Sequence, residues 1–175
     1  MITAETSLPG VWLITPELVE DVRGFFARAW CEQEFAVAGL NGRWMQCSFS
    51  FSKKRGTLRG MHYQRAPHGE IKLVRCTMGA LHDVVVDLRP QSPTFKKHVA
   101  VELSASNRKM LYIPEGCAHG FQTLQDDTEV LYHMSEPYAP GHAAGVRWND
   151  PAFGIVWPDG NPTLSERDRT FPDFA

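Results

Sequence analysis

Glycine and proline break this chain so often that little longer than a short strand fits between them. Fourteen Gly and twelve Pro fall among 175 residues. Gly tolerates left-handed backbone and Pro fixes φ and removes a donor, so both end regular structure. The pieces between them are rich in Val, Leu, Ile, Phe and Tyr. Residues 71–76, 81–88, 98–103, 109–113 and 128–134 read as strands, separated by turn signals such as Met78-Gly79, Ser92-Pro93 and Pro114-Glu115-Gly116. Strands at roughly 8–12-residue spacing indicate a β-sandwich or barrel. Within 81–88, alternation puts His82, Val84, Val86 and Leu88 on one face and Leu81, Asp83, Val85 and Asp87 on the other. Two acids on a packing face are either hydrogen-bonded in a cavity or wet. Helix is scarce: residues 31–40 form the best candidate, and a turn capped by Ser165 is expected next to Asp168. No repeat or linker interrupts residues 1–175, so a single β-rich domain is expected.

Composition narrows the function. Hydrophobic residues make up 43%, enough for a core, and the net charge of -2 gives no global field to hold a polyanion. Nonspecific nucleic-acid binding is therefore not expected, although clustered arginines still suit a small phosphate ligand. No apolar run reaches the ~18 residues of a membrane span, and no basic-then-apolar leader opens the chain. Cys31, Cys47, Cys76 and Cys117 stand far apart without a CxxC pair, which argues against zinc-ribbon and thioredoxin-like readings. Free, mostly buried thiols in a reducing cytoplasm are the expectation.

The densest polar stretch spans residues 46–76. Gln46, Ser48, Ser50 and Ser52 alternate with Cys47, Phe49 and Phe51, so a strand there has one polar wall, facing either solvent or a pocket. Downstream, His62 and Gln64 point opposite to Met61 and Tyr63. Lys72 shares a face with Val74 and Cys76, which suits a cavity better than a surface. A rigid Pro114-x-Gly116 turn then delivers His119 to the start of another strand. Gly56 to His62 and Pro114 to His119 resemble the two histidine-bearing motifs of the cupin superfamily, which implies a mainly β, cupin-type jelly-roll barrel with a few short helices. Metal-binding cupins carry a second His where Gln64 stands, and an amide is a poor transition-metal ligand, so no metal is expected.

The likeness extends further. DVRGFF (21–26), GTLRGMHYQ (56–64), KLVRC (72–76), LYIPEGCAHGFQTL (111–124), YAPG (138–141), RWNDP (147–151) and LSERD (164–168) resemble, in order, the dTDP-4-dehydrorhamnose 3,5-epimerase family. That resemblance implies a cofactor-free epimerase acting beside the 4-keto group of a nucleotide-linked 6-deoxyhexose. It assigns His62 as base, Asp168 as its orienting carboxylate, Lys72 as the charge near the carbonyl oxygen and Tyr138 as the acid on the opposite face. It gives Arg23 and Arg59 to the diphosphate, Phe26 to the nucleotide, and Gln46, Ser48, His119 and Arg147 to other substrate contacts. It also implies a homodimer in which the N-terminal strand crosses to the neighbouring subunit, carrying Arg23 and Phe26 into the partner's pocket.

Two departures bear on the substrate. Many members carry Glu after the Arg-Gly-Phe-Phe run, where this chain has Ala27-Arg28, and many read Gln-x-Asn where Gln46-Cys47-Ser48 stands. A carboxylate accepts the thymine N3 hydrogen, whereas a guanidinium only donates, so Arg28 raises the hypothesis of another base such as cytosine. Three alternatives stand beside the double epimerase. One inverts C3 alone or C5 alone of a CDP- or GDP-linked ketosugar. The second is a metal-dependent cupin oxygenase or isomerase, with His62, Glu70 and His119 as ligands. The last is a non-catalytic sugar-binding cupin.

Overall fold

The computed structural model describes residues 1–174. Two antiparallel sheets face each other across one core. The six-stranded sheet runs β1 (Ile2–Glu5), β2 (Trp12–Thr15), β10 (Met110–Ile113), β7 (Lys72–Met78), β12 (Thr128–Met134), β5 (Gln46–Ser52). The five-stranded sheet runs β13 (Ala143–Gly145), β6 (Leu58–Gln64), β11 (Cys117–Thr123), β8 (Ala80–Asp87), β9 (His98–Ser104). A separate hairpin, β3 (Leu18–Asp21) with β4 (Gly24–Ala27), stands apart from both. The two helices are short: α1 (Glu32–Val37) and α2 (Glu166–Arg169). This is the mainly β jelly-roll barrel expected from the punctuation and the cupin-like motifs.

Alternation builds three apolar layers. Between the sheets, Val74, Cys76, Leu111 and Val130 of one wall meet Leu81, Val85, Leu103 and Phe121 of the other. Val84, Val86, Ala118 and Met61 point out of the five-stranded sheet and are covered by Val146, Phe153 and Trp157. Ile14, Leu73, Met110 and Tyr112 point out of the six-stranded sheet and are covered by Phe35 and Leu40 around α1. That helix is shorter than residues 31–40. The Leu40 N–H turns back to the Phe35 carbonyl at 2.8 Å, and Gly39 adopts φ +72°, a left-handed stop.

The acids of β8 are buried and bonded rather than wet. Asp83 accepts from His119 Nε2 at 2.7 Å. Asp87 accepts from Arg89 Nε at 2.8 Å and the Thr94 hydroxyl at 2.7 Å. Burial works to raise the Asp87 carboxyl, but the hydrogen bonds from Arg89, Ser92 and Thr94 outweigh it and hold it well below the usual range. The cysteines divide. Cys76 and Cys117 are buried, with thiols pushed up to about 11 and about 12 by desolvation, whereas Cys47 is exposed and Cys31 half-buried. Among the described residues, no helix is long and apolar enough to cross a membrane.

One irregularity positions the site. His119 pairs with His62 and Phe121 with Arg59, so two steps along β11 span three along β6. The extra residue makes a bulge at Gly60, where φ is +142°. A Cβ on Gly60 would lie 2.6 Å from the Gly120 Cα, so the backbones meet there without side chains. The bulge lets Arg59 and His62, three positions apart, both enter the cavity.

Candidate active site

The open end of the barrel holds a cavity of about 590 Å³. Strand β5 supplies its polar wall: Gln46, Ser48 and Ser50 line it, while Phe49 alone of the intervening row reaches its edge and is otherwise exposed. The alternating Ser row therefore faces a pocket, not solvent. Across from it stand His62 and His119, on adjacent strands of the other sheet. Lys72, Arg59, Tyr138 and Asp168 complete the set that the sequence singled out.

Asp168 comes from far along the chain. Ser165 Oγ accepts the Asp168 N–H at 3.1 Å and caps α2, fixing the carboxylate against β6. One Asp168 oxygen lies 2.7 Å from His62 Nε2, and the other accepts the Gly60 N–H at 3.3 Å. Burial works to raise this carboxyl, but the hydrogen bond and charge of His62, with the Gly60 N–H, outweigh it and hold it below the usual range. A carboxylate there keeps the proton on Nε2 and leaves Nδ1 as the basic nitrogen. Phe171 packs edge-on against the imidazole, at 5.9 Å between ring centres.

Lys72 is nearly buried. Its Nζ forms an ion pair with Glu70 Oε1 at 2.9 Å and donates to the His62 carbonyl at 3.4 Å. Arg59 donates through Nε to Ser52 Oγ at 3.2 Å and through Nη2 to the Phe51 carbonyl at 2.9 Å, tying β6 to β5 across the barrel. Tyr138 sits at the rim, its N–H donated to Gln46 Oε1 at 3.1 Å. Sequence reasoning missed a second phenol. Tyr132 projects from β12 into the same cavity, 6.1 Å between ring centres from His119, and burial, reinforced by the Asp83 charge, pushes its hydroxyl far up. The inward register of Tyr132 with Val130 was available in the sequence. Alternation alone does not separate a core aromatic from a pocket one.

Four expected substrate contacts lie outside this cavity. Arg23 and Phe26 are on the exposed hairpin, with Arg23 paired to Asp21 and Phe26 75% exposed. Arg28 pairs with Glu34 at the base of the hairpin. Arg147 pairs with Asp173 at 2.6 Å. The three ligands of the metal-dependent alternative are each engaged elsewhere: His62 with Asp168, His119 with Asp83 and Glu70 with Lys72. Among the described residues, no three His, Cys, Asp or Glu side chains converge as a metal site.

A jelly-roll barrel whose open end holds a carboxylate-backed histidine beside a nearly buried lysine defines a cupin-type barrel with an acid–base site. The profile of the dTDP-4-dehydrorhamnose 3,5-epimerase family matches residues 5–175, and the chain belongs to that family. It is 43% identical over 174 residues to the dTDP-4-dehydrorhamnose 3,5-epimerase of Salmonella typhimurium, covering 98% of this chain and 94% of that one. The crystal structure of dTDP-4-dehydrorhamnose 3,5-epimerase from Bacillus anthracis, with TDP and PPi bound, superposes with a TM-score of 0.96 at 40% identity, covering 99% of each chain. A 3'-monoepimerase from Streptomyces bikiniensis, in complex with dTDP-quinovose, superposes at 0.89 with 36% identity, covering 96% of this chain and 85% of that one.

Proposed function

We propose that this chain epimerises dTDP-4-dehydro-6-deoxy-D-glucose at C3 and C5 by proton abstraction and return beside the 4-keto group. The observation that carries the reading is the 2.7 Å His62–Asp168 contact inside a cavity that also holds Lys72 and a phenol on the facing sheet. His62 takes the C–H proton through Nδ1, and Asp168 stabilises the imidazolium that results. Removing that proton puts charge on the ketone oxygen, which the Lys72 ammonium meets. The keto group itself acidifies its neighbouring carbons, so the chemistry needs no cofactor.

Inversion needs a proton from the other face. His62 stands on the five-stranded sheet, so the donor belongs to the opposite wall. Tyr138 at the rim is the donor that the family motif implies. A specific observation favours Tyr132 as a second reading: it rises from the facing sheet, and burial keeps its phenol protonated. A solved double mutant of the Streptomyces bikiniensis 3'-monoepimerase replaces a histidine and a tyrosine with the same spacing as His62 and Tyr132.

The diphosphate falls to Arg59 in this chain and to Arg23 of a second copy. The hairpin exposes Val19, Val22 and Phe26 with nothing in the same chain to cover them. A homodimer that exchanges N-terminal segments gives Arg23 and Phe26 a pocket to serve. Mixing His62→Asn chains with Arg23→Ala chains, assayed at substrate well below the KM of Arg23→Ala, tests this: kcat/KM raised above that of Arg23→Ala alone supports exchange, and no rise rejects it.

Incubation with the dTDP ketosugar in deuterated water tests the reaction. Deuterium at both C3 and C5 is expected; label at one carbon alone identifies a single-carbon epimerase, and no label rejects the substrate. Competition between dTDP and CDP reads the base, and clear dTDP preference removes the cytosine hypothesis raised by Arg28.

A further inference from the structure

Gln64 has no part in the proton transfers, yet it lines the cavity, is 5% exposed, and commits its whole carboxamide to backbone. Its Oε1 accepts the Ala139 N–H at 2.7 Å, and its Nε2 donates to the Pro137 carbonyl at 3.2 Å and to the His68 carbonyl at 3.1 Å. The orientation of the amide is forced, because an N–H needs the oxygen and the carbonyls need the nitrogen. Pro137 and Ala139 flank Tyr138, whose own N–H goes to Gln46 Oε1 at 3.1 Å. We infer that Gln64 is a positioning residue: by gripping the backbone immediately before and after Tyr138, it fixes that phenol at the rim of the cavity that His62 enters. The inference rests on the epimerase reading for what Tyr138 touches, and adds to it the residue that holds Tyr138 in place.

The segment needs such a grip. It leaves the sheets after Ser135, whose N–H donates to the Ile71 carbonyl at 3.0 Å, and returns at Ala143, which pairs with Gln64. Between them, Pro137 and Pro140 lack N–H donors, so the stretch cannot complete a strand ladder. Among the described residues, the side chains that hydrogen-bond the backbone of residues 136–142 are Gln46 and Gln64 alone. Tyr138 is 58% exposed, so packing contributes little to holding its ring. His62 and Gln64 lie two residues apart on β6 and both line the cavity, so one strand sets both the base and the rim phenol. The grip requires a donor and an acceptor on one side chain of this length. Glutamine has both, and methionine, of similar length, has neither a strong donor nor a strong acceptor.

The test combines amide hydrogen exchange with steady-state turnover of dTDP-4-dehydro-6-deoxy-D-glucose, for wild type, Gln64→Met, Tyr138→Ala and the Gln64→Met/Tyr138→Ala double variant. Gln64→Met is expected to lower kcat/KM about tenfold or more, through the same parameter, kcat or KM, that Tyr138→Ala changes. It should also speed exchange of the Ala139 N–H about tenfold or more, while the amides of β11 stay protected. A residue acting through Tyr138 has no further effect once that ring is gone, so the double variant should match Tyr138→Ala in turnover. Damage that reached His62 along β6 would add to the loss instead. Should Gln64→Met fail to fold, Gln64→Asn, which keeps the amide but is one methylene short of Pro137 and Ala139, is expected to show the same pattern. Additive losses, wild-type turnover by Gln64→Met, an effect in the other kinetic parameter, or unchanged Ala139 exchange would overturn the inference. Normal turnover by Tyr138→Ala rejects the role given to Tyr138 in the epimerase reading and the inference with it. If wild type does not turn over the ketosugar, the epimerase reading falls, and Ala139 exchange alone decides the clamp: faster in Gln64→Met supports it, unchanged rejects it.

Discussion

The barrel mouth and the β3–β4 hairpin carry the two halves of the proposed substrate contact, and they are built on opposite terms. At the mouth, the titratable groups are paired within their own chain: His62 has Asp168, Lys72 has Glu70, and His119 has Asp83. On the hairpin, Phe26 is 75% exposed and Val22 fully so, and Arg23 has only its neighbour Asp21. Phe25 alone is clasped, by Arg108 at 4.2 Å from its ring centre. Proton transfer demands rigid geometry and gets it from packed strands. The hairpin has no such packing: its exposed side chains are the ones that a second copy would cover in the proposed dimer.

The largest effect expected from this contrast falls at the mouth. His62→Asn should cut kcat by about 10² to 10⁴-fold and abolish deuterium incorporation, while calorimetry shows TDP still bound. Retained exchange would move the base elsewhere. Packing responds next: Phe121→Ala, deep between the sheets, should cost about 3–5 kcal/mol in denaturant unfolding. Phe26→Ala should cost less than about 0.5 kcal/mol in dilute monomer, and more once a second copy covers it. A concentration-independent cost at Phe26 would erase the distinction between the two regions.

The hairpin's own signature is in affinity. Arg23→Ala with Phe26→Ala should raise KM about tenfold or more through lost charge-assisted bonds, with kcat within about twofold. A collapse of kcat would put the hairpin in the chemistry. Tyr132→Phe against Tyr138→Phe sharpens the mouth itself: the variant that still exchanges deuterium but no longer inverts has lost the donor. The smallest effect is in acid. A carboxyl held below its ordinary range contributes stability that is complete above the unfolded-state pKa and is lost as pH falls through the folded value. Asp87 and Asp168 both behave this way, so the melting temperature should fall below about pH 4. Asp87→Asn flattens that acid limb. The equivalent change at Asp21 does not, because its pairing with Arg23 is fully solvated.

Much of this was legible in the chain. Strand β12 falls on residues 128–134 as read, and β7, β8, β9 and β10 fall within two residues of expectation, because period-two alternation and Gly/Pro turns are local signals. His62 and His119 followed from motif spacing, and Lys72 from strand alternation that put it on a face with Val74 and Cys76. What sequence did not show depended on closure of the barrel. The even choice for the Gln46–Ser52 row between water and pocket is settled only by what faces it. Tyr132 looks like core until the cavity reaches it. Asp83 became a buried partner of His119 through strand pairing at a separation of 36 residues. The bulge at Gly60 reversed the facing of Arg59, which strict alternation would have placed opposite His62.

That bulge makes two glycines answerable for chemistry they never touch. Any side chain at Gly60 or Gly120 would wedge β6 from β11, turn Arg59 away from its anchor on β5 and take the amide away from Asp168. A single methyl group there would act as an inhibitor built into the backbone, silencing the imidazole from behind while leaving every polar side chain in the cavity intact.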